Sequence, residues 1–299
     1  MLRFLMAHAH QFAVYATNHA GEARDLAARF AAQGEPIVIA AGGDGTLNEV
    51  VGGLTGTATV LGVLPAGTMN VFARELGIPC DSLERALAVI HHGFVREVDL
   101  FAANGAPFVQ MAGVGFDAAV IEQTTWASKK RFGPLAYLLA AVKVLGVAPP
   151  TLEVVCADGR CERGVAVIAG NGALYGGPFR FFRKAHNRDS KLDVLVYKEA
   201  GYRLLLDSLR GLACGGIDLL DSISYFQSEA FTVRADCAVP VEVDGEWLGR
   251  FGEVRFAETA HHLRVLAPED PLVGNFTDGW KSLLPWPRRL PQLQTSRQP

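Results

Sequence analysis

The sequence is poor in several features that mark whole classes of protein. Only five cysteines occur in 299 residues (Cys80, Cys156, Cys161, Cys214 and Cys237), and no two form a C-x-x-C pair. An odd and scattered set points to neither a disulfide framework nor a zinc site; it reads as reduced thiols of a cytosolic protein. No stretch reaches the roughly 18 consecutive apolar residues of a membrane-spanning helix. The nearest approach, LAYLLAAVKVLGVA at 135–148, is interrupted by Lys143. The opening MLRFLMAHAHQF carries one arginine and an apolar run too brief for a secretory signal. A basic excess is also missing: 28 Lys and Arg stand against 31 Asp and Glu, for a net charge of −3. Nucleic acid is thereby set aside as the main partner. These absences lead to the expectation of a cytoplasmic protein that can still touch a membrane from outside.

What is present is the material of a folded chain: 49% hydrophobic and 20% charged residues, and a length sufficient for two cored domains. The first hundred residues alternate between two patterns. GEARDLAARFAAQG (21–34) has helical spacing and PIVIAA (36–41) is a wholly apolar, β-branched run that suits a strand covered on both faces. LNEVVGGL (47–54) reads as a helix, TVLGVL (59–64) as a second buried strand, and MNVFAREL (69–76) as another helix. DSLERALAVIHHG (81–93) reads as a helix capped by Asp81. Strand and helix in alternation predict an α/β domain with a parallel sheet over residues 1–98.

After Asp99 the pattern changes to short runs with turn residues between them. TLEVVCA, GVAVIAGN, KLDVLVY, EAFTVRA and PVEVDGEW predict an antiparallel β-sandwich over 99–270, interrupted by helices near 134–147 and 202–213. The end, 271–299, is rich in Pro, Arg and Gln and reads as a loose tail.

The chemistry concentrates at AAGGDGTLNEV (40–50), where a strand runs through glycines into a helix. Glycines allow a tight turn with unobstructed amides, and a helix N-terminus adds unpaired N–H groups and a favourable dipole, so such a junction can hold phosphate. A structural reading stands beside it, because Thr46-x-x-Glu49 also fits a helix capping box. The junction is not a G-x-G-x-x-G loop, and the chain has no Walker sequence. The device recurs, however: VLPAGTMNVFA (63–73) is again strand, Gly-Thr, helix. Two such junctions on neighbouring strands can face one crevice at the carboxyl end of a parallel sheet. With a carboxylate, they suit a nucleotide polyphosphate and Mg2+.

GGDGTLNEVVGGL, LPAGTMNVFARELGIP, AGVGFDAAV, NGALYGG and VEVDGEWLG occur in this order. Together they resemble the diacylglycerol and sphingosine-type lipid kinases, in their bacterial branch, over about residues 14–267. The resemblance implies an ATP- and Mg2+-dependent kinase of lipid metabolism and phospholipid biosynthesis, acting on a lipid hydroxyl at the inner face of a membrane. It leaves a homodimer open and implies a nucleotide domain of the NAD-kinase-like α/β type. Carried over by position, Thr17, Gly42, Gly43, Asp44, Gly45, Thr46, Asn48, Glu49, Gly67 and Thr68 would contact the nucleotide. Asp44 would lie at the phosphoryl-transfer centre, and Glu246 would be the general base. The Asp244-Gly245 pair before it is also a strong hairpin signal. A structural Mg2+ would be held by Asp189 with the carbonyls of His186 and Lys191, and Asp117 would link that ion to the active site. The family's opening strand and Asn-Pro-x-Ser-Gly loop do not occur in the sequence, and Val71 stands where the family places a carboxylate. Two other readings therefore stay open: a non-catalytic nucleotide- or lipid-binding relative, and a NAD kinase. Membrane contact is expected from Phe179-Arg180-Phe181-Phe182-Arg183-Lys184 or from Ser128–Phe132, where cations and rings interleave.

Overall fold

The structure is a computed structural model that describes residues 12–123, 149–214, 217 and 220–269. The first part of the chain runs α1 (Glu22–Ala32), β1 (Ile37–Gly42), α2 (Asp44–Leu54), β2 (Val60–Pro65), α3 (Val71–Glu75), α4 (Leu83–His92) and β3 (Phe94–Val98). β1 and β2 pair in parallel from Ile37–Val60 to Gly42–Pro65, joined by α2 as a crossover. All six residues of β2 are buried, as its apolar sequence anticipates. β1 departs from the expectation of two covered faces. It is the edge strand among the described residues, with Ile37 exposed.

Two helix starts also differ from the sequence reading. α2 begins at Asp44, two residues before the proposed Thr46 cap. Gly43 is its N-cap, in extended backbone, and the Gly43 carbonyl accepts the Leu47 N–H at 3.0 Å. The Thr46–Glu49 capping box is therefore not formed. At α4 the cap is Ser82, whose Oγ accepts the Arg85 N–H at 3.3 Å, while Asp81 ion-pairs with Arg85 instead.

The second part is antiparallel throughout. β4 (Phe101–Ala103), β5 (Ala106–Phe108), β6 (Met111–Val114), β9 (Ala166–Gly170), β12 (Leu192–Tyr197), β13 (Ile223–Ser228), β14 (Ala230–Val243) and β15 (Glu246–Glu258) form one hydrogen-bonded path in the order β13-β12-β9-β6-β14-β15-β4-β5. β7 (Leu152–Cys156) branches from β14 and carries β8 (Cys161–Gly164). The long β14 makes the sandwich possible. Its first half, Phe231–Ala235, pairs with β7. Its second half, Val241–Val243, pairs with β6. A register break between Arg234 and Val239 separates the two. A bulged strand bends, and this one feeds both layers. Phe231, Val233, Val241, Val154, Val194 and Phe256 then meet in a single core.

Helix α5 (Phe116–Gln123) follows β6, the short pair β10 (Leu174–Tyr175) and β11 (Phe179–Arg180) follows β9, and α6 (Tyr202–Cys214) follows β12. The last strand, β16 (Leu263–Ala267), leaves the sandwich and enters the first sheet, parallel to β2 and antiparallel to β3. The expected second-domain span of 99–270 thus contains a strand of the first sheet. Alternation within one strand says which face is buried but not which sheet receives it. The helix expected near 134–147, the Ser128–Phe132 cluster and the tail lie outside the described residues. Among the described residues, no helix is long and apolar enough to cross a membrane.

Candidate active site

The two glycine junctions meet at the carboxyl ends of β1 and β2, around a crevice lined by Gly42, Gly43, Asp44, Pro65 and Asn70. Their backbones touch. A Cβ placed on Gly67 would lie 2.5 Å from the Gly43 Cα, a distance no side-chain carbon tolerates. The second loop is closed on itself by Asn70, which accepts the Gly67 N–H at 3.0 Å and donates to the Gly67 carbonyl at 2.8 Å. Asn70 does this from a left-handed backbone (φ 48°), a conformation Asn tolerates better than most residues. Gly67→Ala is accordingly expected to force the loops apart at a cost of about 1–3 kcal/mol of stability, the range typical of overpacking. A thermal melt would register this as a lower Tm, and an unchanged Tm would show that the close contact is not needed.

Asp44 joins the loops. Its Oδ1 accepts the Val71 N–H at 2.8 Å, so its carboxylate sits at the start of α3. Burial raises its pKa above the ordinary value, and the Val71 N–H opposes that shift. The first-turn N–H groups of α2 have no intrahelical partner and no side-chain cap, which leaves them for an anion.

Glu246 reaches this junction from the other domain. The Asp244-Gly245 turn has left-handed backbone at both residues (φ 48° and 80°), the type that closes a two-residue hairpin. Glu246 follows it at the head of β15, exposed. A Cβ on Gly45 would lie 2.8 Å from Glu246 Oε1. The missing side chain at Gly45 is what lets the carboxylate approach the first turn of α2.

Asp244 fixes the turn. Its two oxygens accept the N–H groups of Val109, Gln110 and Met111, each at 2.9 Å. Burial pushes its pKa up to about 6 against these three stabilising bonds. The folded chain therefore binds this proton more tightly than the unfolded chain. The group's contribution to stability is full below the ordinary carboxylate range and is lost as pH rises through about 6. Asp244→Ala would orphan three backbone donors. With about 1–3 kcal/mol for each buried unsatisfied group, a loss of at least ~3 kcal/mol is expected. A fall in Tm of roughly 10 °C in a thermal melt would register it; a shift under about 2 °C would contradict it.

Two of the other expected residues, Glu49 and Asp117, are bonded to groups of neighbouring elements. Glu49 accepts the N–H groups of Gly21 (2.8 Å) and Ala23 (3.1 Å), and so caps α1. Its carboxylate is engaged by a neighbouring helix, which α2 packs against. Thr17 is exposed in the run ahead of α1, where the Tyr15 ring lies tilted against Phe30 with centroids 4.8 Å apart. Asn48 and Thr46 lie half-buried on α2, and Thr68 is exposed on the second loop. Asp117 accepts a hydrogen bond from the Tyr175 hydroxyl and faces Glu242. Asp99 meets the 186–191 loop, through the Ser190 N–H at 2.7 Å.

In that loop Asp189 Oδ1 accepts the Lys191 N–H (3.2 Å), and the His186 carbonyl accepts the N–H groups of Arg188 (2.7 Å) and Asp189 (3.3 Å). Ser190 holds a left-handed position (φ 56°), and its Oγ donates to Glu258 at 3.1 Å. Carboxylate and carbonyl oxygens are donors suited to Mg2+. Beside them Asp99, Glu258 and His262 bring ligand atoms within 4.8 Å of one another, a set the sequence reading missed because it spans more than 160 residues. The expected aromatic docking patch is also corrected: Phe181 and Phe182 are buried in a core cluster, leaving only Phe179 partly open. The adjacent rings of Phe181 and Phe182 both turn inward, while Arg180, Arg183 and Lys184 stay exposed.

Comparison with known proteins adds the decisive observation. Residues 1–103 match the diacylglycerol kinase catalytic domain family, and residues 110–267 match the YegS C-terminal NAD kinase beta sandwich-like domain. A diacylglycerol kinase of Bacillus subtilis (strain 168) is 30% identical over 267 residues, covering 87% of each chain. The chain belongs to the diacylglycerol kinase family of lipid kinases. Within that family, a probable lipid kinase (YegS-like) of Chromohalobacter salexigens is 32% identical over 247 residues, covering 79% of this chain and 78% of its own. A crystal structure of a diacylglycerol kinase from Bacillus anthracis str. Sterne superposes with a TM-score of 0.69 at 23% identity, covering 89% of this chain and 88% of the other, and shares the fold. Family membership makes the chain a kinase. It also accounts for the pairing of a parallel-sheet domain with an antiparallel sandwich.

Proposed function

We propose that the protein transfers the γ-phosphoryl group of ATP to the hydroxyl of a diacylglycerol or a related lipid. The observation that carries this reading is the approach of Glu246, from one domain, to Gly45 in the GGDGT turn of the other. A base for the acceptor and an anion site for the donor then share one cleft. Phosphoryl transfer asks chiefly for alignment and charge stabilisation. The Gly42–Thr46 turn, Gly67 and Thr68 would hold the phosphates with backbone and hydroxyl donors, with Thr17 and Asn48 beside them. Glu246 would orient the lipid hydroxyl and take its proton as the bond to phosphorus forms. Asp44 would set the charge at the transfer centre. Mg2+, when bound, would neutralise charge on the phosphates, and the Asp189 loop with Asp99 would hold a second, structural ion.

The lipid has space to enter. A cavity of about 450 Å3 in the sandwich domain is lined by Phe116, Ala119, Leu204, Val239 and Pro240, among others. Val239 and Pro240 lie on β14, the strand that leads into the Asp244-Gly245 turn. Such a cavity suits part of an acyl chain. Incubation with γ-labelled ATP, Mg2+ and vesicles containing diacylglycerol should yield labelled phosphatidic acid, and a lipid extract in parallel would reveal another acceptor. ATP binding without label transfer to any lipid would favour the non-catalytic reading.

A further inference from the structure

Glu242 is fully buried on β14, and one of its oxygens lacks an ordinary partner. Oε2 accepts the Gly245 N–H at 2.8 Å, inside the turn that precedes Glu246. Among the described residues, no N–H or O–H group reaches Oε1. What faces it is a second carboxyl group: a Cβ on Gly113 would lie 2.8 Å from Glu242 Oε1 and 2.9 Å from Asp117 Oδ2, so the two oxygens crowd one point above that glycine. The other Asp117 oxygen is taken by the Tyr175 hydroxyl. Two carboxyl oxygens can bond each other only if one carries a proton. Two ionised carboxylates so close, out of water, would repel strongly.

We infer that Glu242 is a neutral carboxylic acid that donates its proton to the Asp117 carboxylate and, with its other oxygen, grips the Gly245 N–H, so positioning the turn that presents Glu246. The chain of contacts runs Tyr175 to Asp117 to Glu242 to Gly245, one residue from the proposed base. Burial, then the neighbouring Asp117 charge, both favour the protonated form of Glu242. Asp244 also faces it from the turn. Glu242 is a positioning residue, since it touches neither the nucleotide loop nor the cleft.

The inference rests on the kinase reading, and the test separates the two. Glutamine reproduces the neutral acid, with an amide to donate to Asp117 and a carbonyl to accept from Gly245. Leucine matches the volume and does neither. Glu242→Leu is expected to lower kcat about 100-fold with little change in the KM for ATP, the scale of a misplaced catalytic group. Glu242→Gln should restore most of that loss. Equal loss in both variants would overturn the inference, because it would mean that ionised Glu242 is required. An activity-independent arm uses infrared difference spectra of the wild-type protein against Glu242→Gln at pH 8, where Asp244 is ionised. A carbonyl band of a buried protonated carboxyl should be present in the wild type and absent from the variant. Its absence from the wild type would refute the shared proton even if no lipid is phosphorylated. Failure of phosphorylation with the band present would count against the kinase reading alone.

Discussion

Asp44→Asn is expected to leave the chain folded and to lower the rate of lipid phosphorylation about a thousandfold, the upper end of what one electrostatic group at a transition state contributes. The prediction turns on the atom used structurally. Asp44 Oδ1 accepts the Val71 N–H, and an asparagine carbonyl can accept the same bond. The substitution therefore keeps volume and tie while removing charge. A purely structural Asp44 would show near wild-type turnover in the asparagine variant. Thermal melts of both proteins should agree to within a few degrees, since about one neutral-for-charged hydrogen bond changes. Val71 sharpens this expectation. With valine where the family places a carboxylate, position 71 cannot supply the charge that the substitution removes.

Glu246→Gln is expected to reduce kcat by about 10²- to 10³-fold, in the range of a general base, with the KM for ATP changed less than about threefold. The side chain is exposed and approaches the GGDGT turn over Gly45, so glutamine fits without cost to folding. Rates with a saturating lipid and varied ATP would separate the two parameters. Loss of ATP affinity with an intact kcat would assign Glu246 to nucleotide binding. The companion Gly45→Ala is informative because its methyl group would occupy the space 2.8 Å from Glu246 Oε1 and push the carboxylate away without touching its chemistry. It should reproduce part of the kcat loss.

Much of the architecture was determined by the chain order of simple patterns. Apolar runs between glycines and amphipathic stretches located β1, β2 and the helix between them, although only β2 is covered on both faces as a wholly apolar run anticipates. The alternating runs after Asp99 fixed an antiparallel second domain for the complementary reason. The two Gly-Thr junctions were legible from their residues as turns that can hold phosphate, while Asp44 and Glu246 were singled out by the resemblance to the lipid kinases. What only the tertiary structure decided is how side chains with several uses are spent. Glu49 faced a phosphate loop on paper and caps α1 in space. Phe181 and Phe182 sat among cations in the sequence and pack in a core. Asp117 keeps company with Tyr175 and Glu242. Asp244, readable only as a turn residue, holds three amides. β16 crosses back to the first sheet, where its apolar face completes that core. A carboxylate bonds whichever N–H groups folding brings within about 3 Å, and those donors can lie over a hundred residues away, beyond any pattern local in the chain.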